Sequence, residues 1–206
     1  MGANIIWREE WKRPHESIWS LIENIKISNS INGSELSHYI NANTTEKSRS
    51  LRNVNKLSDE ALNKLRELTH IDFIEIKKTM LKLSKLERYN PLHYFHTHLC
   101  YCEKCIQYNY HSYLHQYKLI DVCPFHLTEL QTKCVYCNKD IYYYFIANGI
   151  PFTCKCGYQL YQTLDEPIWK SWSMFEPILD VSILRDNYNL LNTSIATIDI
   201  TKEDRL

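Results

Sequence analysis

The sequence predicts an α+β fold, mainly helical, in which a helix-turn-helix-like N-terminal bundle precedes a compact module built around metal-binding residues. Apolar residues recur at helical spacing in the first 90 residues, and Cys and His pairs recur between residues 101 and 158. A chain of 206 residues with 44% hydrophobic and 23% charged residues suits one compact domain or two small ones. We expect a helical region (1–90), a double metal-binding module (91–164), and an aromatic segment with an acidic tail (165–206).

Two helices are predicted at the start of the chain. The first opens in the segment 13–17, with Pro14 in its first turn, and carries an apolar stripe of Ile18, Leu21, Ile22 and Ile25. Trp19 falls on the flank of this stripe. Ser34 is the predicted cap of a second helix, and the polar segment 41–55 is predicted to be an exposed loop.

Two more helices follow, separated by a turn at residues 69–72. Ser58 is the predicted N-cap of one, and Asp72, with Glu75 three residues later, caps the other. This spacing is typical of a helix-turn-helix, whose second helix can enter a DNA major groove. The candidate DNA-contacting residues on and just after that helix are Lys77, Lys78, Lys82 and Lys85. A packed helical hairpin with a solvated lysine face is the alternative.

Seven of the eight cysteines lie between residues 101 and 158, and with one histidine they form four closely spaced pairs. Short spacing within a pair lets both ligands face one ion, and eight ligands make two closed four-coordinate sites, as in structural zinc proteins. Pairing in chain order is the simplest arrangement, and an interleaved one is the alternative. The predicted ligands of two Zn²⁺ ions are Cys102, Cys105, Cys123 and His126 in one site, and Cys134, Cys137, Cys154 and Cys156 in the other.

Disulfides are the other use of paired cysteines. Residues 1–11 do not resemble a signal peptide, so we expect a cytoplasmic protein, in which paired cysteines usually bind metal. Cys100 is expected to be a small buried residue. His111 and His115 have no acid between them in a zincin arrangement, and His115-Gln116 is expected to brace the first zinc site. A β-hairpin around Asn148-Gly149 is predicted between the ligand pairs of the second site, as in a zinc ribbon, so we expect a double zinc-finger/zinc-ribbon module.

The aromatic residues after Tyr158 are predicted either to return to the core in a short helix or to form an apolar docking patch. They are Trp169, Trp172, Met174 and Phe175. The last ten or so residues are expected to be disordered.

The formal charge of the chain is zero, but it is unevenly spread. Residues 1–90 carry 15 basic and 12 acidic residues, residues 91–164 carry 5 and 4, and residues 165–206 carry 4 and 8. Zinc bound to three thiolates and an imidazole leaves a charge of about −1, and zinc bound to four thiolates leaves about −2. Because DNA affinity depends largely on Lys and Arg, we expect DNA contacts from the N-terminal half.

Several of these segments resemble the TniQ/TnsD family, whose signature runs CPxC, an aromatic segment ending in HQ, CPxH, a Leu, then CPxC. The matching residues are Glu16-Ser17-Ile18-Trp19, the segment 110–116 (YHSYLHQ), Cys123-Pro124-Phe125-His126, Leu130 and Cys134-Val135-Tyr136-Cys137. The resemblance covers about Pro14 to Tyr158. Both CxxC pairs lack the family's proline.

The resemblance implies a bacterial transposition target-selection adaptor. Such a protein links a marked target, either a DNA site or a CRISPR effector complex, to an AAA+ ATPase of the TnsC type, and binds DNA weakly alone. The alternatives are a zinc-dependent DNA-binding regulator without a transposition partner, and a structural zinc scaffold. No phosphate-binding loop, nucleophile elbow or other catalytic motif occurs, and no apolar run is long enough to span a membrane. We therefore expect neither an enzyme nor a membrane protein.

Overall fold

The fold was analysed in a computed structural model, which describes residues 5–40, 57–82, 94–143, 150–161, 170, 172, 175–187 and 189, with side chains as far as residue 79 in the segment 57–82. Several predictions fall outside this part of the chain. They are the loop 41–55, the turn at Asn148-Gly149, Lys85, the side chain of Lys82, Trp169, Met174 and the last ten residues.

The first two helices form where the apolar spacing predicts them, but their starts differ. Helix α1 spans Ile18–Asn29, and the side chain of Ser17 caps it by accepting from the Ser20 N–H. Pro14 therefore precedes the helix instead of lying in its first turn. Helix α2 spans Gly33–Tyr39, and its cap is Asn32 in a capping box with Glu35, so the prediction of Ser34 is wrong.

Helices α3 (Asp59–Thr69) and α4 (Phe73–Lys82) confirm the predicted pair. The Ser58 hydroxyl accepts from the Ala61 N–H at 3.2 Å, and Asp72 Oδ1 accepts from the Glu75 N–H at 2.9 Å. The three-residue turn between the helices begins at His70, whose φ of 62° ends α3 in the left-handed region. Both predicted capping residues are confirmed.

The metal-binding module contains little regular structure. Helix α5 is one turn, Glu103–Ile106, and Tyr113–Gln116 and Glu9–Trp11 are 3₁₀ turns. In the described part of the chain, β structure is limited to isolated antiparallel bridges such as Phe95 with Tyr117 and Tyr101 with Gln131. The prediction of a mainly helical fold is confirmed, and its β component consists of these bridges.

A single hydrophobic cluster joins the helices to the metal-binding module. It extends from Ile18 in α1 through Phe73 to Tyr161. Trp19, beside the apolar stripe, also belongs to it: the indole is buried and packs edge-on against His111 and Phe152. Described residues on both sides of the predicted boundary at residue 90 share this core.

The aromatic residues of the C-terminal segment pack against the folded chain. Trp172 is buried between Trp7 and Trp11, and Phe175 stacks on Tyr108 with ring centroids 4.7 Å apart. These two residues agree with the prediction that the segment returns to the core, and not with the alternative of an apolar docking patch. No described helix combines the length and apolar character that a membrane span requires.

Candidate metal centres

The first cluster consists of Cys102, Cys105, Cys123 and His126, whose ligand atoms all lie within 4.8 Å of one another. The Cys105 and Cys123 sulfurs are 3.7 Å apart. His126 Nδ1 lies 3.2 Å from Cys105 Sγ, 3.5 Å from Cys102 Sγ and 3.8 Å from Cys123 Sγ. The three cysteines are completely buried, so a metal held here is shielded from water by the protein.

The second cluster consists of Cys134, Cys137, Cys154 and Cys156, again within 4.8 Å. Its sulfurs are 3.8 Å apart across Cys134 and Cys156, and 3.8 Å across Cys137 and Cys154. Cys156 is exposed. This cluster lies closer to solvent than the first.

These spacings fit a tetrahedral metal ion. Sulfur atoms at about 2.3 Å from a central zinc are about 3.8 Å apart at tetrahedral angles, whereas a disulfide brings them to about 2.0 Å. None of the eight cysteines forms a disulfide. The structure therefore contains two clusters, grouped in chain order, that can each hold one metal ion, consistent with structural zinc.

Tight turns place the ligands of each pair on one side of the chain. The Leu127 N–H donates to Cys123 O and the Asn138 N–H donates to Cys134 O. Leu127 and Asn138 both have φ of 54°, and Gly157 ends the last turn with φ of 91°. Glycine and asparagine adopt this left-handed conformation readily, which explains their place here, while leucine adopts it at a cost of about 1–2 kcal/mol.

His115 lies beside the first cluster without belonging to it. The Ser112 N–H donates to His115 Nδ1 at 3.4 Å, so the neutral ring carries its hydrogen on Nε2. That Nε2 lies 3.4 Å from Cys123 Sγ and 3.9 Å from Cys105 Sγ. Burial lowers the pKa of His115 well below its ordinary value. A neutral imidazole thus directs an N–H at a ligand sulfur, in keeping with the predicted bracing role.

Gln116 and His111 hold the chain that leads into the first cluster. Gln116 Oε1 accepts from the Cys100 N–H at 2.6 Å, and its amide donates to His98 O at 2.8 Å. His111 Nε2 donates to Cys100 O at 2.8 Å, and its Nδ1 accepts from the Ser17 hydroxyl at 2.8 Å. Burial lowers the pKa of His111 to about 4 and raises that of Cys100 to about 12. Cys100 is buried and outside both clusters, as predicted.

Helix α1 and the segment just before it are tied to the chain beside both clusters. Glu16 forms a buried ion pair with Arg13 at 2.8 Å, and Arg13 donates to Asn109 O at 2.8 Å, four residues after Cys105. Two turns later Glu23 accepts from the Phe152 N–H at 2.9 Å, two residues before Cys154. Both carboxylates therefore position metal-ligand segments.

The residues of this network were not among the site residues predicted from the sequence. Arg13 and Glu16 are three residues apart, which is also the spacing of ordinary surface ion pairs on a helix. The local sequence does not distinguish a buried pair from an exposed one, because the acceptor Asn109 O lies 96 residues away from Arg13.

The candidate DNA-contacting lysines have different surroundings. Lys77 Nζ donates to Leu57 O at 3.0 Å and to Asp59 Oδ1 at 3.0 Å, so this side chain ties α4 to the start of α3. Lys78 is exposed. The side chains of Lys82 and Lys85 lie outside the described residues. Of the candidates whose side chains are described, Lys78 is thus the exposed one.

The C-terminal segment covers the first cluster. Phe175 stacks on the imidazole of His126 with ring centroids 5.7 Å apart, and also contacts Tyr110. The Asp180 N–H donates to Pro124 O at 2.7 Å. Residues outside the predicted module thus complete the wall of this site.

Comparison of the chain with protein-family models finds no match, and comparison with the curated proteins finds none either.

Proposed function

We propose that this protein is a TniQ-like target-selection adaptor, in which two structural zinc ions hold a partner-binding surface and α3–α4 form a helix-turn-helix-like element. In this role it links a marked target to a TnsC-type AAA+ ATPase. The proposal begins from the sequence resemblance and is supported by how the matching residues are arranged.

The observation that carries the proposal is the convergence of the signature residues around the first cluster. Glu16 pairs with Arg13, which reaches Asn109 O, and the Ser17 N–H donates to His111 O at 2.8 Å. His115 contacts Cys123, and Gln116 bonds the backbone around Cys100. Motifs that matched the signature only by chance would have no reason to meet in one buried hydrogen-bond network. Their shared network supports a common structural origin for the signature.

The ligand sets support zinc in a structural role. Three thiolates with an imidazole, and four thiolates, are both typical of structural zinc. Four protein ligands fill each tetrahedral site, which leaves no position for a substrate or an activated water. The ions would therefore fix the surrounding turns, so that partner binding does not have to order them first.

The charge distribution supports weak DNA binding by the protein alone. The chain has no net charge, and Lys77 is engaged within the helix pair. Few cations then remain on α4 to neutralise phosphates, whereas a free-standing regulator needs many. Recruitment by a DNA-bound ATPase would supply the missing affinity.

The test is DNA binding by zinc-loaded protein at about 0.15 M salt, with and without the AAA+ ATPase assembled on the DNA. The adaptor proposal predicts weak binding alone and clear recruitment to ATPase-coated DNA. Tight, sequence-selective binding without the ATPase would instead indicate a DNA-binding regulator. Failure to bind ATPase-coated DNA would contradict the adaptor role.

A further inference from the structure

The lysines of the metal-binding module are concentrated around its second cluster. Of the five lysines in residues 91–164, three lie here, namely Lys133, Lys139 and Lys155. Residues 91–164 contain four carboxylates, and of these only Asp140 lines the same cleft as the three lysines. Three ammonium groups and one carboxylate are thus gathered beside the second cluster.

These three lysines line one cleft of about 620 Å³, together with Asn138, Asp140, Tyr142 and the second cluster. This volume is in the range of clefts that take a small organic group such as a nucleotide. Asp140 lies 3.8 Å from His98 Nε2, and no carboxylate in the described part of the chain is within ion-pair distance of the three lysines.

Exposed tyrosines lie on or next to the turns that carry the ligands of the second cluster. Tyr136 is 75% exposed and lies parallel to Tyr158, with ring centroids 5.9 Å apart and an interplanar angle of 4°. Tyr142 is also exposed, and the Lys155 ammonium lies 4.1 Å from the centre of its ring. The three tyrosines and the three lysines thus all lie within five residues of a ligand of the second cluster in sequence, and Tyr142 lines the cleft with the lysines.

We propose that this surface, formed by Tyr136, Tyr158, Tyr142, Lys133, Lys139 and Lys155, binds single-stranded nucleic acid. Aromatic faces stack on bases and ammonium groups contact phosphates, the combination found in single-strand binding sites. A duplex keeps its bases stacked inside and cannot use the tyrosine faces in this way. A protein partner fits less well, because lysine is depleted at the centres of protein interfaces.

The charge of the metal site sets the expected strength of the electrostatic contribution. Four thiolates around a divalent ion carry about −2, which together with Asp140 offsets the three ammonium groups. Stacking must therefore supply most of the affinity. Three lysine contacts to a single strand predict a shallow salt dependence, with log Kobs falling by about 2 per tenfold rise in salt.

The test is fluorescence anisotropy of zinc-loaded protein with a labelled 20-nucleotide DNA strand, the corresponding RNA and the 20-base-pair duplex. Lys104 is the matched control, because it occupies in Cys102-Glu103-Lys104-Cys105 the position that Tyr136 has in its own pair. Tyr136→Ala should weaken single-strand binding about fivefold or more, and Tyr136→Ala with Tyr158→Ala further still. Lys104→Ala should leave it unchanged.

Lys133→Ala with Lys139→Ala should reduce the salt slope from about 2 to about 1. Zinc content and melting temperature, measured for each variant, separate lost binding from lost folding. Equal affinity of the wild type and Tyr136→Ala, or tighter binding of the duplex than of the single strand, would overturn the proposal. Loss of ATPase recruitment in Tyr136→Ala with no single-strand binding by the wild type would assign this surface to a protein partner instead.

No residue of this surface belongs to α4, and the inference does not depend on the adaptor function. A protein that binds single strands but ignores the ATPase would keep this assignment and lose the proposed function. A protein that is recruited by the ATPase but does not bind single strands would keep the proposed function and lose this assignment.

Discussion

The Nε2 atom of His115 lies 3.4 Å from the Sγ atom of Cys123, and both residues are fully buried. The Ser112 N–H holds the ring in the tautomer that directs an N–H at this sulfur. Hydrogen bonds to ligand atoms orient the ligands and reduce the charge on the thiolates. No corresponding histidine contacts the second cluster in the described residues. The two clusters therefore differ in their surroundings, which provides an internal control.

Replacing His115 with Leu should make zinc leave the first site more readily, because the thiolate loses its N–H donor. The expected loss of affinity is about 10-fold or more, the usual effect of removing such a partner. Competition with a chelator should show one fast and one unchanged zinc ion. Equal loss from both sites would mean that His115→Leu destabilises the whole fold instead.

Wild-type protein loaded with cadmium tests the same contact without a substitution. The ring nitrogens of His115 should show the Nε2–H tautomer in NMR spectra, with coupling between that hydrogen and the metal through the sulfur. A hydrogen on Nδ1 would contradict the contact between the Nε2–H group and Cys123 Sγ.

Removing the Glu16 carboxylate should destabilise the fold strongly, since the Arg13 guanidinium would be left buried without the negative charge that it pairs with. The expected change in the free energy of unfolding for Glu16→Ala is about 3–5 kcal/mol. Glu67→Ala is the matched control, because Glu67 pairs with Lys64 on the exposed side of α3 and should contribute less than about 1 kcal/mol. Denaturant unfolding measures both, and equal effects would contradict a role for the buried network.

Stability should depend on pH through His111. Its pKa falls from an ordinary value of 6.5 to about 4 in the folded protein, so the unfolded chain binds more protons between these values. This contribution is fully present above pH 6.5 and is lost as the pH falls towards 4, by up to about 3 kcal/mol. Unfolding of wild type and His111→Gln between pH 7 and 5, with zinc occupancy monitored, should show a shallower decline for the variant. Parallel curves would exclude His111 as the source.

Replacing Lys78 with Glu should weaken DNA contact while leaving binding to the ATPase intact. One lost phosphate contact should reduce the salt slope of DNA binding by about 1. Lys77 is unsuitable for this test because it bonds Asp59 and its loss would loosen the helix pair. Lys104→Glu makes the same charge change on another surface. Unchanged DNA affinity in Lys78→Glu would favour a simple helical hairpin.

Local sequence patterns were sufficient to predict the members of the two candidate metal clusters and several helix ends. Residue type and short spacing determine whether Cys134 and Cys137 can face one ion, and the hydrogen bond of an N-cap such as Ser58 spans three residues. The burial of Trp19 and the role of Arg13 could not be predicted in this way. Both depend on segments about 90 or more residues away in sequence, whose position is set only by the complete fold.

The most direct test of the two-site account is a count of zinc ions per chain by native mass spectrometry. Wild-type protein should carry two, and the control Cys100→Ala should also carry two, because Cys100 lies outside both clusters. Cys123→Ala should lose the first ion and, since folding and binding are coupled in small zinc modules, should melt at a much lower temperature. Full zinc content and an unchanged melt in Cys123→Ala would contradict the assignment of the first cluster.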